Sequence, residues 1–221
     1  MQMENKERPI LFNGEMVRAI LDGRKTQTRR IAKVTSEGCQ EGFITPLAGF
    51  VPRSIKNHIS YCPFGKPGDR LWVRETWQGP LFYDEIPEDW NSDKYKTPEY
   101  CYYKASGDSC DFTDADDNFV ERWSPSIHMP RWASRILLEV TNVRVERLND
   151  ISEEDARLEG ITDGGCLNCG GNEPCGCSDP KPDARDAFIW LWESINGQGS
   201  WIDNTWVWVI EFKVIENGQA K

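Results

Sequence analysis

The sequence predicts an α+β fold, in which a small, mostly antiparallel β-barrel is packed by a few helices and interrupted by long loop insertions. The first observation is the element order, helix, strands, helices and strand, without the regular strand–helix alternation that builds a parallel sheet. The second is the pair of β-branched and aromatic segments at 135–148 and 205–215, whose composition favours strands. No internal repeat or linker divides the 221 residues, so we expect a single domain over 1–221.

The first predicted element is a helix over residues 13–23. Asn13 is a suitable N-cap, and Gly23 is a good stop signal. The basic segment LDGRKTQTRR at 21–30 follows and is expected to enter a strand. The apolar residues that share one face of the helix are Met16, Val17, Ile20 and Leu21.

Two further segments are predicted to be strands. GDRLWVRETW at 68–77 reads as a turn followed by a strand that has Leu71 and Val73 on one face and Trp72 on the other. Residues 135–148 form a second strand, with a bulge or bend at Asn142.

Capping residues define two later helices. Ser152 begins a short helix and Asp155 completes its capping box. Asp183 caps a helix over 183–196, and the closing segment at 205–215 is a strand with apolar residues on both faces. The residues expected on one side of the second helix are Phe188, Leu191, Trp192 and Ile195.

Two stretches are predicted to be mostly loop. Residues 35–68 scatter Gly, Pro, Ser and Asn among single apolar residues. Residues 84–118 hold eleven Asp or Glu against three Lys and read as a solvated surface insertion.

Composition limits the kinds of partner that we expect the protein to bind and the cellular compartment in which we expect it. The net charge of −10 and the pI of about 4.8 argue against a protein that coats long nucleic acid such as duplex DNA, but they allow a pocket for one nucleotide. The charged N-terminus lacks the apolar run of a signal peptide, and no stretch approaches the roughly 20 apolar residues of a membrane span. We therefore expect a cytoplasmic protein without membrane partners, and the sequence leaves its oligomeric state open.

The first candidate site is Lys25 with Thr28. A threonine hydroxyl becomes a nucleophile when a base takes its proton, and a lysine with a lowered pKa can be that base. Arg24, Arg29 and Arg30 would lower that pKa by repulsion. Residues three apart in a regular strand point to opposite faces, so the pair converges only if Lys25 belongs to the preceding turn. The alternative is a basic, solvent-facing edge strand.

The second candidate is a stacking wall for a flat heterocycle. Trp72 and Trp77 would stack on the ring, while Arg74 and Glu75 would read its polar edge. The alternative is that the tryptophans belong to the core.

The third candidate is a metal site in CLNCGGNEPCGC. Cys166 and Cys169 form a C-x-x-C pair, and Cys175 and Cys177 form a C-x-C pair close behind it. Four thiolates could close a tetrahedral structural zinc site that leaves no position open for water. The alternative is a loop of reduced thiols, as expected of cytoplasmic cysteines.

Four ordered blocks resemble the ASCH domain, a PUA-like β-barrel. They are ILDGRKTQTRR, GDRLWVRETW, LEVTNVRVERLNDISEEDARLEGI and WVWVIEFKVI. With HMPRWASRI, the chain is similar to longer members that phages and prophages often encode. Against compact members, residues 36–66, 79–127 and 162–182 are insertions.

The resemblance implies a function on RNA or modified bases, which PUA-like barrels bind in a cleft. Some compact ASCH proteins are amidohydrolases that remove the acetyl group from N4-acetylcytidine without a cofactor. By position, their lysine base, threonine nucleophile and glutamate acid match Lys25, Thr28 and Glu159. Read alone, Glu159 is an ordinary surface glutamate.

The sequence leaves two further functions open. One is a binding module without catalysis, in which a base stacks on Trp72 or Trp77 and arginines contact the phosphate. Its phosphate-binding residues would be Arg24, Arg29 and Arg74. The other is a phage accessory protein whose acidic insertion binds a host protein.

Overall fold

The computed structural model describes residues 5–32, 62–82, 87–89, 92–108, 111–113, 119–162, 166, 168–169, 176–178 and 184–215. Most of the predicted loop at 35–68, and the predicted cap Asp183, lie outside these residues. None of the helices in this part of the chain has the length and apolar content of a membrane span.

The described elements are nine strands and three α-helices, joined in places by single turns of 3-10 helix. The strands are β1 (Glu7–Leu11), β2 (Gln27–Ile31), β3 (Arg70–Arg74), β4 (Trp77–Gln78), β5 (Tyr102–Tyr103), β6 (Asp111–Thr113), β7 (Phe119–Glu121), β8 (Leu137–Arg147) and β9 (Trp206–Ile215). The helices are α1 (Gly14–Leu21), α2 (Glu153–Leu158) and α3 (Ala184–Asn196).

Five strands form one mixed sheet in the order β1-β3-β8-β9-β2. β1 runs parallel to β3, while β3 pairs with β8 and β2 pairs with β9 in antiparallel fashion. β4–β5 and β6–β7 are separate two-stranded sheets. The α+β prediction is confirmed. Within the described residues the predicted closed barrel is not detected, because closure requires the two edge strands to pair and β1 and β2 do not.

The elements separate into two compact units. The first unit holds β1, α1, β3 to β7, the start of β8 through Glu139 and the end of β9 from Lys213. The second unit holds β2, α2, α3 and the rest of β8 and β9.

The first unit bears out most of the local predictions. The Asn13 side chain accepts a hydrogen bond from the Met16 backbone N–H at 2.8 Å, as an N-cap does. Leu71 and Val73 are buried on one face of β3, as predicted. Leu21 departs from the predicted helix stripe because its side chain is exposed.

Part of the predicted acidic loop is core rather than solvated surface. Tyr103 is buried with Trp77, Met129 and Ala133, and its hydroxyl donates to the Ala133 carbonyl at 2.8 Å. The pairing of β5 with β4 carries Tyr103 into this core. The charge count of the segment does not reveal that pairing.

The second unit is built around α2, α3 and β9. Its core residues are Leu148, Ile151, Ala156, Ala184, Phe188, Trp192, Val207 and Val209. The capping box of Ser152 and Asp155 is present. The four consecutive residues Val207–Ile210 of β9 are buried, so side chains on both faces of this strand are covered.

Three side chains of this unit lie on the surface of α3 and β8. Ile195, expected on the packed side of α3, is exposed. Thr141 and Asn142 are consecutive exposed residues on β8, so the alternation of buried positions changes phase where the bend was predicted.

Candidate active site in the second unit

The basic segment after α1 is held by backbone hydrogen bonds on both sides. Gly23 turns the chain with a φ of 74°, in the region that favours glycine. The Thr26 N–H donates to the Leu158 carbonyl at the end of α2, and the Thr26 carbonyl accepts from Phe212 of β9. These bonds bring the segment against the C-terminal end of α2.

Lys25 lies at this junction with no exposed side-chain surface. It forms an isolated antiparallel bridge with Glu159. Its Nζ donates to the Glu159 carbonyl and to Glu159 Oε2, each at 2.8 Å. Burial lowers the pKa of Lys25 below its usual value, although the Glu159 carboxylate opposes that shift; Arg30 and Arg29 lower it further.

Glu159, the residue that follows α2, receives a second cation. Arg29 Nη1 donates to Glu159 Oε1 at 3.1 Å, so each carboxylate oxygen faces a different basic side chain. Arg29 Nη2 also lies 3.2 Å from Glu146 and 3.3 Å from Asp155. The Arg29 side chain has no exposed surface, and its guanidinium is already engaged by three carboxylates.

The ion pairs continue to the surface through Arg144. Its guanidinium contacts Asp155 at 3.2 Å and also contacts Glu146 and Glu211. Burial raises the pKa of Asp155, but the hydrogen bond from Gln27 and the charge of Arg29 outweigh that effect and hold it below the usual value. We call this set the ionic network; its members are Lys25, Glu159, Arg29, Glu146, Asp155 and Arg144.

Thr28 is buried but points away from the network. Gln27 and Arg29 flank it on β2, and both of their side chains reach Asp155. Because side chains alternate along a strand, Thr28 faces the opposite side, where it is paired with Ile210. Among the described residues, no hydrogen bond joins Thr28 to Lys25.

The other two arginines of the segment differ in exposure. Arg24 is exposed and donates to the Gly160 carbonyl at 3.0 Å and to Thr162 Oγ1 at 3.3 Å, beside Asp22. Arg30 is half-buried, and burial lowers its pKa while Glu159 partly restores it. Arg24 is thus the basic side chain of this segment most open to a ligand.

The four residues of the predicted stacking wall lie in the first unit, and two of them are buried while the other two are half-buried. Trp72 and Arg74 are half-buried, with the guanidinium 5.2 Å from the indole centroid. Trp77 is buried and packs edge-on against Trp132. Glu75 is also buried, so Trp77 and Glu75 occupy core positions and Trp72 and Arg74 remain available for contact.

Three network members were missed in the sequence. Glu146 and Arg144 lie two apart on β8 and so share a face, which was the available signal. Asp155 was predicted only as a capping residue. Nothing in the sequence indicated that these side chains surround Arg29.

The cysteine segment brings three thiols together. The Sγ atoms of Cys166, Cys169 and Cys177 all lie within 4.8 Å of one another, and this cluster could hold a metal ion such as zinc. Cys175, the fourth predicted ligand, lies outside the described residues.

No protein-family model, curated protein or solved structure matches this chain. The resemblance to the ASCH domain therefore stays a prediction.

Proposed function

We propose that the chain hydrolyses the N-acyl amide of a modified nucleoside of the N4-acetylcytidine type, with Lys25 as base and Glu159 as acid. The observation that carries the proposal is the buried contact of 2.8 Å between Lys25 Nζ and Glu159 Oε2, with the pKa of Lys25 lowered. The two residues are 134 positions apart. The resemblance to the ASCH domain assigns catalytic roles to both residues, and that assignment makes no use of the contact between them.

The pair can supply both proton transfers of an amide hydrolysis. One proton moving from Lys25 Nζ to Glu159 Oε2 leaves a neutral amine and a carboxylic acid. The amine takes the proton of the attacking hydroxyl as its oxygen bonds to the amide carbon. The carboxylic acid then protonates the departing nitrogen as the C–N bond breaks. Arg29, already surrounded by carboxylates, orients Glu159 rather than binding the oxyanion.

The attacking oxygen has two sources. The resemblance assigns it to Thr28, which would carry the acetyl group until water releases it. The alternation of β2 favours a water molecule on the side of Lys25. Both routes use the same proton transfers, and only the first forms an acyl-enzyme.

The test is turnover of N4-acetylcytidine to cytidine by the purified chain. We expect Lys25→Ala and Glu159→Gln to lower kcat/KM by about 100-fold or more, the usual contribution of a general acid or base. Lys213→Ala, which removes an exposed lysine of the first unit, is the matched control and should leave the rate unchanged. No turnover by the wild type would contradict the proposal for this substrate.

A second experiment identifies the nucleophile. If Thr28 attacks, a stopped reaction contains chain heavier by one acetyl group, and Thr28→Ala contains none. If water attacks, Thr28→Ala keeps most of the activity and no acetylated chain accumulates.

A binding module without catalysis is the second candidate, favoured by the complete burial of the Lys25 and Arg29 side chains. In that case the ionic network is structural, and a base would stack on Trp72 beside Arg74 in the first unit. Quenching of tryptophan fluorescence by nucleoside or RNA without turnover, weakened in Trp72→Leu, would support this function over hydrolysis.

We also propose a specific fold within the α+β class, a PUA-like barrel of the long ASCH type with the three insertions predicted above. Its support is that the four blocks fall on β2 with its preceding turn, β3, β8 with α2, and β9.

A further inference from the structure

We propose that Cys166, Cys169 and Cys177 bind a zinc ion that stabilises the segment between α2 and α3. The proposal is independent of the hydrolase function, because no proton transfer described above uses a metal. It begins from three thiols held within 4.8 Å of one another, each able to supply one ligand atom.

The sulfur separations fit a shared metal ion. Three thiolates at tetrahedral positions around zinc, each about 2.3 Å from the ion, lie about 3.8 Å from one another. Cys166 and Cys177 Sγ are 4.0 Å apart. A disulfide would require about 2.05 Å, and the three cysteines are thiols. Binding the ion therefore needs only a small contraction of the cluster.

The local backbone also suits a metal site. The Cys169 N–H donates to the Cys166 carbonyl at 3.1 Å, and this turn carries the two thiols of the C-x-x-C pair to the same side. Cys166 is buried, Cys177 is half-buried and Cys169 is exposed. An ion could thus enter from the solvent side and be shielded on the other.

Donor chemistry selects the metal. Thiolates are soft ligands, which favour zinc, copper(I) and iron–sulfur clusters over magnesium or calcium. Zinc commonly occupies structural sites rich in cysteine with C-x-x-C spacing. We therefore assign zinc and treat copper or iron as an outcome that would contradict the assignment.

The position of the cluster points to a structural role. Cys166 follows the segment at 160–162 that Arg24 holds by two hydrogen bonds. Cys177 precedes α3, which packs on α2 through Phe188 and Ala156. One ion would thus tie the chain leaving α2 to the chain entering α3, and its binding free energy would add to the stability of the folded state, because the site is not formed in the unfolded chain.

The first test is metal analysis of the purified full chain by mass spectrometry. We expect one zinc per chain in the wild type and a loss of most of it in Cys166→Ser and Cys177→Ser. Cys101→Ser is the matched control, because burial raises the pKa of Cys101 to about 11 and the thiol donates to the Thr97 carbonyl. The control should keep its zinc.

The second test does not depend on the variants folding. Titration of metal-free wild-type chain with Co²⁺ should produce thiolate-to-metal charge-transfer absorption and the strong visible bands of tetrahedral cobalt. Zinc should then abolish those bands and raise the melting temperature. A wild type that is purified without zinc and gives no such bands would overturn the proposal, as would equal zinc loss in the Cys101→Ser control.

Discussion

Each unit of the molecule buries a carboxylate against a basic side chain, and the two pairs differ in what they can do. In the first unit, Glu75 accepts two bonds of 2.9 Å from Arg135, whose guanidinium also lies 4.0 Å from the Tyr103 ring centroid. In the second, Glu159 divides its oxygens between Lys25 and Arg29. Both carboxylates have almost no exposed surface.

The difference lies in the cation rather than in the burial. A guanidinium keeps its proton in proteins, so Arg135 cannot serve as a base. An ammonium can give up its proton, and burial, which disfavours the charged form, lowers the pKa of Lys25. The comparison indicates that a buried ion pair is a candidate for general-base chemistry when its cation can give up a proton.

The largest expected effect comes from removing each carboxylate. Glu159→Ala leaves two buried cations without their shared partner and should lower the free energy of unfolding by about 3–5 kcal/mol. Glu75→Ala should cost about 1–3 kcal/mol, because Arg135 is partly exposed and water can replace the carboxylate. Denaturant titration measures the free energy of unfolding of both variants. Equal losses would show that the two ion pairs do not differ in what they contribute to stability.

Exchanging the two cations should separate catalysis from stability. Lys25→Arg keeps the charge but removes the ability to accept a proton, so kcat/KM should fall about 100-fold or more. Arg135→Lys keeps a charge but loses the paired hydrogen bonds; it should lower stability by about 1 kcal/mol and leave turnover unchanged. An active Lys25→Arg variant would show that Lys25 is not the base.

The pH dependence of stability should have opposite signs at the two pairs. Lys25 has a native pKa below 10.5, so unfolding takes up a proton between that lowered pKa and 10.5, and stability rises with pH there. Burial raises the pKa of Glu75 above 4.5, even though Arg135 opposes the shift. Its native state therefore holds a proton that the unfolded state has lost, and its contribution falls as pH rises above 4.5.

Unfolding free energies of the wild type, Lys25→Met and Glu75→Gln across these windows measure the two contributions. In Lys25→Met, the free energy of unfolding should not rise with pH below 10.5. In Glu75→Gln, it should not fall as pH rises above 4.5. The proposed transfers need the one proton that Lys25 and Glu159 share, so a wild-type hydrolysis rate that does not fall as pH rises through the lowered pKa of Lys25 would argue against this pair as base and acid.

The smallest expected effect concerns Asp155. Its native pKa lies below 3.8, so the stability it contributes is present above 3.8 and is lost as pH falls through the lower native value. Asp155→Asn should therefore weaken the acid dependence of unfolding and cost about 1 kcal/mol, because Arg29 keeps Glu146 and Glu159. If the free energy of unfolding of Asp155→Asn falls at acid pH as much as that of the wild type, other carboxylates cause the fall.

Local features of the fold followed from the sequence because their causes are local. The Asn13 cap, the Ser152 capping box and the shared buried face of Leu71 and Val73 each depend on residues within a few positions. The cysteine spacing likewise indicated the cluster that Cys166, Cys169 and Cys177 form. Sequence reasoning was weaker for the acidic insertion, where Tyr103 enters the core through pairing with Trp77.

By itself the sequence determined the caps of α1 and α2, the strands β3, β8 and β9 and the basic segment after α1, since short-range hydrogen bonding and periodicity set these features. Tertiary structure alone decided that Lys25 meets Glu159 across 134 positions, that Glu146 and Asp155 enclose Arg29, and that Thr28 faces away from Lys25. Such contacts depend on which strands become neighbours and on the face that each strand turns inward. These are properties of the packed chain, and no single segment encodes them.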